Sequence, residues 1–142
     1  MPTITEFLTP VLVLVAWTLV MWIWMYARRI PAMKAAGIDP QDAAHPGSLS
    51  LLPSSARAAA DNYNHLHEQP TIFYALVFFA ALTGGGDGIA LMLNWAYVIS
   101  RVLHSLVQAT INKVMLRFTI FATGSVLLIV MAVRELVRVF GA

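Results

Sequence analysis

From Phe7 to Ala27 the chain runs for 21 residues without a charged side chain. At about 1.5 Å per residue, a helix of that length crosses the roughly 30 Å hydrocarbon core of a bilayer. Trp22, Trp24 and Tyr26 crowd one end of the run, where an aromatic belt would sit, and Arg28 and Arg29 follow directly. Pro10 falls in the first turns, where it costs little. The segment does not read as a cleavable secretory signal. It lacks a basic start, carries Glu6 instead, and its apolar part is too long and ends in bulky aromatics, so a retained membrane helix is expected.

The rest of the chain agrees. Of 142 residues 59% are hydrophobic and 11% charged, against about a quarter charged in a soluble domain. Mean hydropathy is +0.74. The formal charge of +2 is small and its carriers are scattered, with no Arg/Lys run interleaved with aromatics, which excludes a nucleic-acid binder. The absence of cysteine excludes disulfides, thiolate metal sites and a protein thiol nucleophile. Any thiol chemistry must use sulfur brought by a substrate.

Interruptions in the apolar pattern place four spans, at about 7–27, 57–82, 89–111 and 114–138. Residues 28–56 hold four prolines and no sustained period, and read as an extramembrane loop. "SSARAAADNYNHLHEQ" offers a serine cap and good helix formers, so the second helix should start near Ser55, pass through Glu68 and reach Leu82. Pro70 removes the donor for the Leu66 carbonyl and predicts a local kink. "TGGGDG" is a tight turn, and Asn112 and Lys113 mark the next. The expected fold is an all-α, integral-membrane, four-helix up-down-up-down bundle in a single domain. Arg28, Arg29, Lys34, Arg57, Lys113 and Arg117 lie at one end and only Arg134 and Arg138 at the other. That imbalance places the long loop in the cytoplasm and both termini outside.

Polar residues inside the spans need a reason, because an ionisable group there costs roughly 2.5–3.5 kcal/mol and normally faces the bundle interior. Asp61, Asn64, His65 and Glu68 follow the i, i+3, i+4, i+7 spacing of one helical face, as do Arg101, His104 and Gln108. Glu68 and the Arg101–His104 turn lie at similar distances from the Gly85–Gly86 turn, roughly 25 Å at ~1.5 Å per residue, and Arg117 reaches the same layer. A Glu68–Arg101 ion pair is one reading of this layer. It leaves Arg101, Lys113 and Arg117 in excess over Glu68, a surplus suited to an anionic ligand. A metal fits poorly, since His65 and His67 point about 200° apart on a helix and no Glu-x-x-His or H-E-x-x-H pair exists.

"NYNHLHEQPTIFYAL" followed by "WAYVISRVLHSLVQATINKVMLRFTIF" resembles the MAPEG family, membrane-associated proteins in eicosanoid and glutathione metabolism, and is most similar to its bacterial branch. The likeness covers essentially the whole chain. It is carried by Arg-x-x-His on the third helix, polar-x-x-Glu on the second and an arginine sixteen residues after Arg101. The resemblance implies a homotrimer in a bacterial inner membrane, with glutathione as co-substrate bound between subunits near the cytoplasmic face. It implies that Glu68, Arg101 and His104 hold the tripeptide and that Arg117 stabilises its thiolate. Asn64, His65, Gln108 and Lys113 join the expected binding set by their place in the same layer. Four positions depart from the family's pattern: His65 stands where Asn is common, Gln108 and Phe121 where its prostaglandin-synthesising members have tyrosines, and Phe118 where they have serine.

Three functions follow for testing. The first is a glutathione-dependent transferase or peroxidase acting on lipophilic electrophiles or hydroperoxides. The second is a non-catalytic lipid-binding or helper protein of the same fold. The third is a proton or ion pathway through Glu68 and His104, disfavoured by the unbroken apolar run from Ile72 to Leu82.

Overall fold

In the computed structural model, which describes residues 1–45 and 47–141, five α-helices form four rods. The helices are α1 (Ile4–Ala35), α2 (Ser54–His65), α3 (Gln69–Leu82), α4 (Gly88–Ala109) and α5 (Val114–Phe140). α2 and α3 are the two halves of the second rod. α1, α4 and α5 are long and apolar enough to cross a membrane.

Thr3 and Glu6 start α1 with a reciprocal cap: the Thr3 hydroxyl accepts the Glu6 N–H at 3.2 Å and the Glu6 carboxylate accepts the Thr3 N–H at 2.8 Å. The helix then continues past the apolar run and through Pro31 to Ala35. The helix thus carries the rod through "IPAMKA", beyond the predicted span. It stops at Gly37, whose φ of 65° lets the Ile38 N–H reach the Met33 carbonyl at 3.0 Å, a Schellman closure. Helix therefore occupies the first turns of the stretch expected to be loop. Pro46 and Ala142 lie outside the described residues.

The second crossing departs further from expectation. Instead of one kinked helix, α2 ends at His65 and α3 begins at Gln69. Between them the chain tightens to three-residue turns, His67 N–H to Asn64 O at 2.9 Å and Glu68 N–H to His65 O at 3.4 Å. Pro70 is the cause, having no N–H to offer Leu66. α3 alone, at about 21 Å, is too short to cross, so the crossing needs both halves.

α1 packs against α2, α3 and α4, and α5 packs against α4 and α3. Phe7, Leu14, Phe73, Val77, Tyr97, Val98 and Leu128 form the core, with the Phe73 and Tyr97 rings stacked at 4.6 Å. α4 is polar inward: Asn94, Tyr97, Arg101, His104, Ser105 and Gln108 are buried while Met92, Ile99, Leu103 and Leu106 face outward. α5 likewise turns apolar side chains outward, with Val126, Ile129, Val133 and Leu136 exposed, while Gly124, Leu128, Met131 and Glu135 are buried.

At the end opposite the loop, Asp87 caps α4 by accepting the Ala90 N–H at 2.7 Å and pairs with Arg134 at 2.7 Å. Gly85 is squeezed here, because a Cβ would lie within 2.8–2.9 Å of the Arg138 Nε and the Glu135 carboxylate. The Ala90 N–H first, and the Arg134 guanidinium after it, hold the Asp87 carboxyl below the usual carboxylate range. Its stabilisation is therefore present above the ordinary aspartate pKa and lost as pH falls through the folded value. Asp87→Ala should cost about 1 kcal/mol near neutral pH, and Asp87→Asn, which keeps a capping oxygen, less. Thermal unfolding in detergent from pH 7 to pH 3 should show the deficit of Asp87→Ala narrowing at the acid end.

Candidate functional site

Near the loop end, the break between α2 and α3 opens a groove of about 270 Å³. His65 comes from the last turn of α2, Glu68 from the break, His104 from α4, and Val114, Arg117, Phe118 and Phe121 from the first turns of α5. The four α5 residues fall at i, i+3, i+4 and i+7, one continuous face.

Arg101 lies among these elements, 1% exposed. Its Nη2 donates to the His65 carbonyl at 3.2 Å, while Nε and Nη1 have no partner. The guanidinium carbon sits 5.9 Å from the centre of the Phe121 ring. His104 is 3% exposed, its Nδ1 has no partner, and its ring lies 6.0 Å from that of His65 and 6.1 Å from that of Phe121. Gln108 is fully buried and its Oε1 meets His65 Nδ1 at 3.0 Å, leaving its own Nε2 unpaired. A carbonyl oxygen only accepts, so this bond puts a proton on Nδ1 of His65. Asn62 adds a second tie between α2 and α4, donating to Ser105 Oγ at 2.8 Å.

Arg117 is held from below its own helix. Asn112 closes α4 with its N–H on the Val107 carbonyl at 2.7 Å, adopts a φ of 48°, and accepts from Arg117 Nη1 at 2.6 Å. Asparagine is one of the few residues that tolerate this backbone, and its short amide then reaches the guanidinium.

The structure thus brings His65, Glu68, His104 and Arg117 to one groove, with Arg101 and Gln108 packed behind it. It does not bring Asn64 or Lys113 there. Asn64 is exposed and faces a different groove beside Arg57 and Asp61, and Lys113 is exposed at the start of α5. The reason for Asn64 is rotational: α2 turns Ala58, Ala59, Asn62 and Leu66 inward, and Asn64, two residues from Asn62, points roughly 200° away. The expected Glu68–Arg101 ion pair is also absent. Among the described residues the ion pairs are Arg134–Asp87 and Arg138–Glu135, and Arg101 spends its bond on the broken helix while Glu68 stays exposed. His67 diverges from His65, as expected, and turns back to the Tyr63 carbonyl at 3.0 Å.

Sequence reasoning passed over Asn62 and Ser105, and read Asn112 only as a turn marker. Asn62 could have been found by its i, i+3 relation to His65, and Asn112 by being an asparagine directly after a helix. Gln69 was also passed over. It donates to Ser125 Oγ at 2.7 Å and accepts from the Tyr97 hydroxyl at 3.5 Å, joining α3, α5 and α4 under the groove.

The MAPEG family model matches residues 7–137 of the chain. No curated protein and no solved structure matches it.

The Asn112 corner separates backbone strain from side-chain bonding. Asn112→Ala must hold an alanine at positive φ and should lower stability by about 1 kcal/mol relative to Asn112→Gly, which takes that backbone freely. Thermal unfolding of the two variants in the same detergent checks the difference.

Proposed function

The chain belongs to the MAPEG family, membrane proteins of eicosanoid and glutathione metabolism, and from that premise we propose that it is a glutathione-dependent transferase or peroxidase acting on lipophilic substrates. One observation carries the reading. Four buried nitrogens, Arg101 Nε and Nη1, His104 Nδ1 and Gln108 Nε2, have no partner in a single layer of the bundle. Buried donors left unpaired cost about 1–3 kcal/mol each, so such a layer favours a ligand rich in acceptors. Glutathione, with two carboxylates, two amide carbonyls and one ammonium group, has that character.

The residues divide the work by charge. His104 lines the groove, with the unpaired nitrogens of Arg101 and Gln108 directly behind it as further donors for carboxylates and carbonyls, and Glu68 is the one acidic side chain on the groove, suited to the ammonium group. Arg117 supplies positive charge beside the thiol. Lowering a thiol pKa of about 8.5 by two units makes it mostly thiolate at neutral pH and requires ~2.7 kcal/mol of favourable interaction. The thiolate sulfur then forms a bond to an electrophilic carbon, and the leaving group departs with its electron pair. Val114, Phe118 and Phe121 give the groove an apolar wall, through which a substrate dissolved in the bilayer can approach.

The reading includes a homotrimer, whose neighbouring copy would cover the open side of the groove and part of the apolar face of α5. It also places the loop end in the cytoplasm, following the basic residues clustered there. A second reading, a non-catalytic lipid-binding or helper protein, is favoured by Phe118 and Phe121, which give that wall no hydroxyl.

Millimolar glutathione should raise the unfolding temperature of the detergent-solubilised protein by about 2–5 °C in a saturable manner. Arg117→Ala should retain most of that shift while transferase turnover falls at least tenfold, or about 1.4 kcal/mol or more. Absence of any thermal shift sinks glutathione binding; a shift without turnover selects the helper reading.

A further inference from the structure

On the other side of α2, the loop end carries a second groove of about 470 Å³. Its walls are the last turns of α1, residues 47–52 of the loop and the first turns of α2. Arg29 and Arg57 line it from two different helices, together with Ser50, Asp61 and Asn64, and the buried Met25 and Leu52 supply its apolar part.

Neither arginine is committed elsewhere. Among the described residues the ion pairs are made by Arg134 and Arg138, and neither Arg29 nor Arg57 forms a side-chain hydrogen bond. Even Asp61, one helical turn from Arg57, makes no ion pair with it. Arg28 differs: its guanidinium carbon lies 4.5 Å from the Trp24 ring centre. The depth is equally specific. Arg29 comes two residues after the charge-free run, just beyond Trp22 and Tyr26, whose rings meet edge-on at 5.4 Å. This is the level at which a bilayer places its phosphates.

We propose that this groove holds the headgroup of an anionic phospholipid, with the phosphodiester between Arg29 and Arg57. Planar guanidinium groups bind phosphate oxygens through paired N–H bonds, and basic pockets between membrane helices suit anionic headgroups. Asp61 refines the ligand. A carboxylate opposes a bare phosphate but accepts from hydroxyls, and Ser50 and Asn64 stand with it, so a glycerol headgroup fits better than phosphatidic acid. The acyl chains continue beside Met25 and down the face of α1 that carries Arg29, where Trp22 and Val15 are exposed. This site is separate from the proposed glutathione groove and stands without it.

The test is thermal unfolding of the whole protein in detergent with added phosphatidylglycerol, phosphatidylcholine or inorganic phosphate, with retained lipid read by native mass spectrometry. Phosphatidylglycerol should raise the unfolding temperature by about 3–5 °C, saturably, and the other two by under about 1 °C. Arg29→Gln and Arg57→Gln should each reduce that shift at least by half and together abolish it, whereas Arg28→Gln keeps it. Should the double variant fail to fold, the single variants carry the same comparison. Equal stabilisation by phosphatidylcholine, an equal shift with inorganic phosphate alone, or an undiminished response in both single variants would overturn the proposal.

Discussion

The bond from Arg101 to the His65 carbonyl organises the loop end of the bundle. A helix broken within a bilayer frees backbone carbonyls that lipid cannot satisfy, and such a break persists only where protein replaces the missing donor. The break leaves the last carbonyls of α2 short of good partners. Arg101 adds a donor to the His65 carbonyl, which otherwise accepts only the long Glu68 N–H bond of 3.4 Å. This places a positive charge at a helix C-terminus, where the peptide dipoles favour it. Each feature alone is costly: an unpaired carbonyl in one case, a buried guanidinium in the other. Together they offset one another. With the break stabilised, His65 is held inward against Gln108 and Glu68 is turned out to the groove.

The inverted character of α4 follows from the same requirement. A helix surrounded by lipid on its outer side must carry its polar groups inward, and α4 does so for most of its length. Only near the break are there enough polar groups on neighbouring elements to answer it, and even there several nitrogens remain unpaired. Further from the loop the inward positions are matched more simply. Tyr97 meets Gln69 and stacks on Phe73, and Gly124 allows α5 to close on α4, since a Cβ there would lie 3.1 Å from Ser100 Oγ. The groove is thus the place where the inward polar face of α4 outruns its partners.

Much of this was legible in the sequence, for physical reasons specific to membranes. Charge-free runs, the Gly-rich turn and Asn112 located four rods, three of them long and apolar enough to cross a membrane, because lipid tolerates few interruptions. Arg101, His104 and Arg117 stood out because charges inside spans demand an explanation. What remained hidden was rotation. Periodicity grouped Asp61, Asn64, His65 and Glu68 as one face of a continuous helix, but the chain breaks before Glu68, and α2 turns Asn62 inward instead of Asn64. Pro70 indicated a weak point without indicating that the helix would stop, and the donor that Arg101, 31 residues further along, adds to the His65 carbonyl at the end of α2 cannot be read from the spacing of either helix. Spacing along one helix cannot report a partner on another.

The same limit explains the departures from the family's pattern. Taken one at a time, His65 in place of asparagine and Gln108 in place of tyrosine look like two losses from a binding site. In the folded chain the two side chains are bonded to each other at 3.0 Å. A histidine nitrogen and an amide oxygen form a neutral donor–acceptor pair between α2 and α4, and Asn62 with Ser105 forms another one turn away. The two side chains therefore act together, as one contact that helps hold α2 against α4. With Nδ1 engaged, His65 has its other ring nitrogen free to accept, while Gln108 lies behind the groove with its amide nitrogen unpaired.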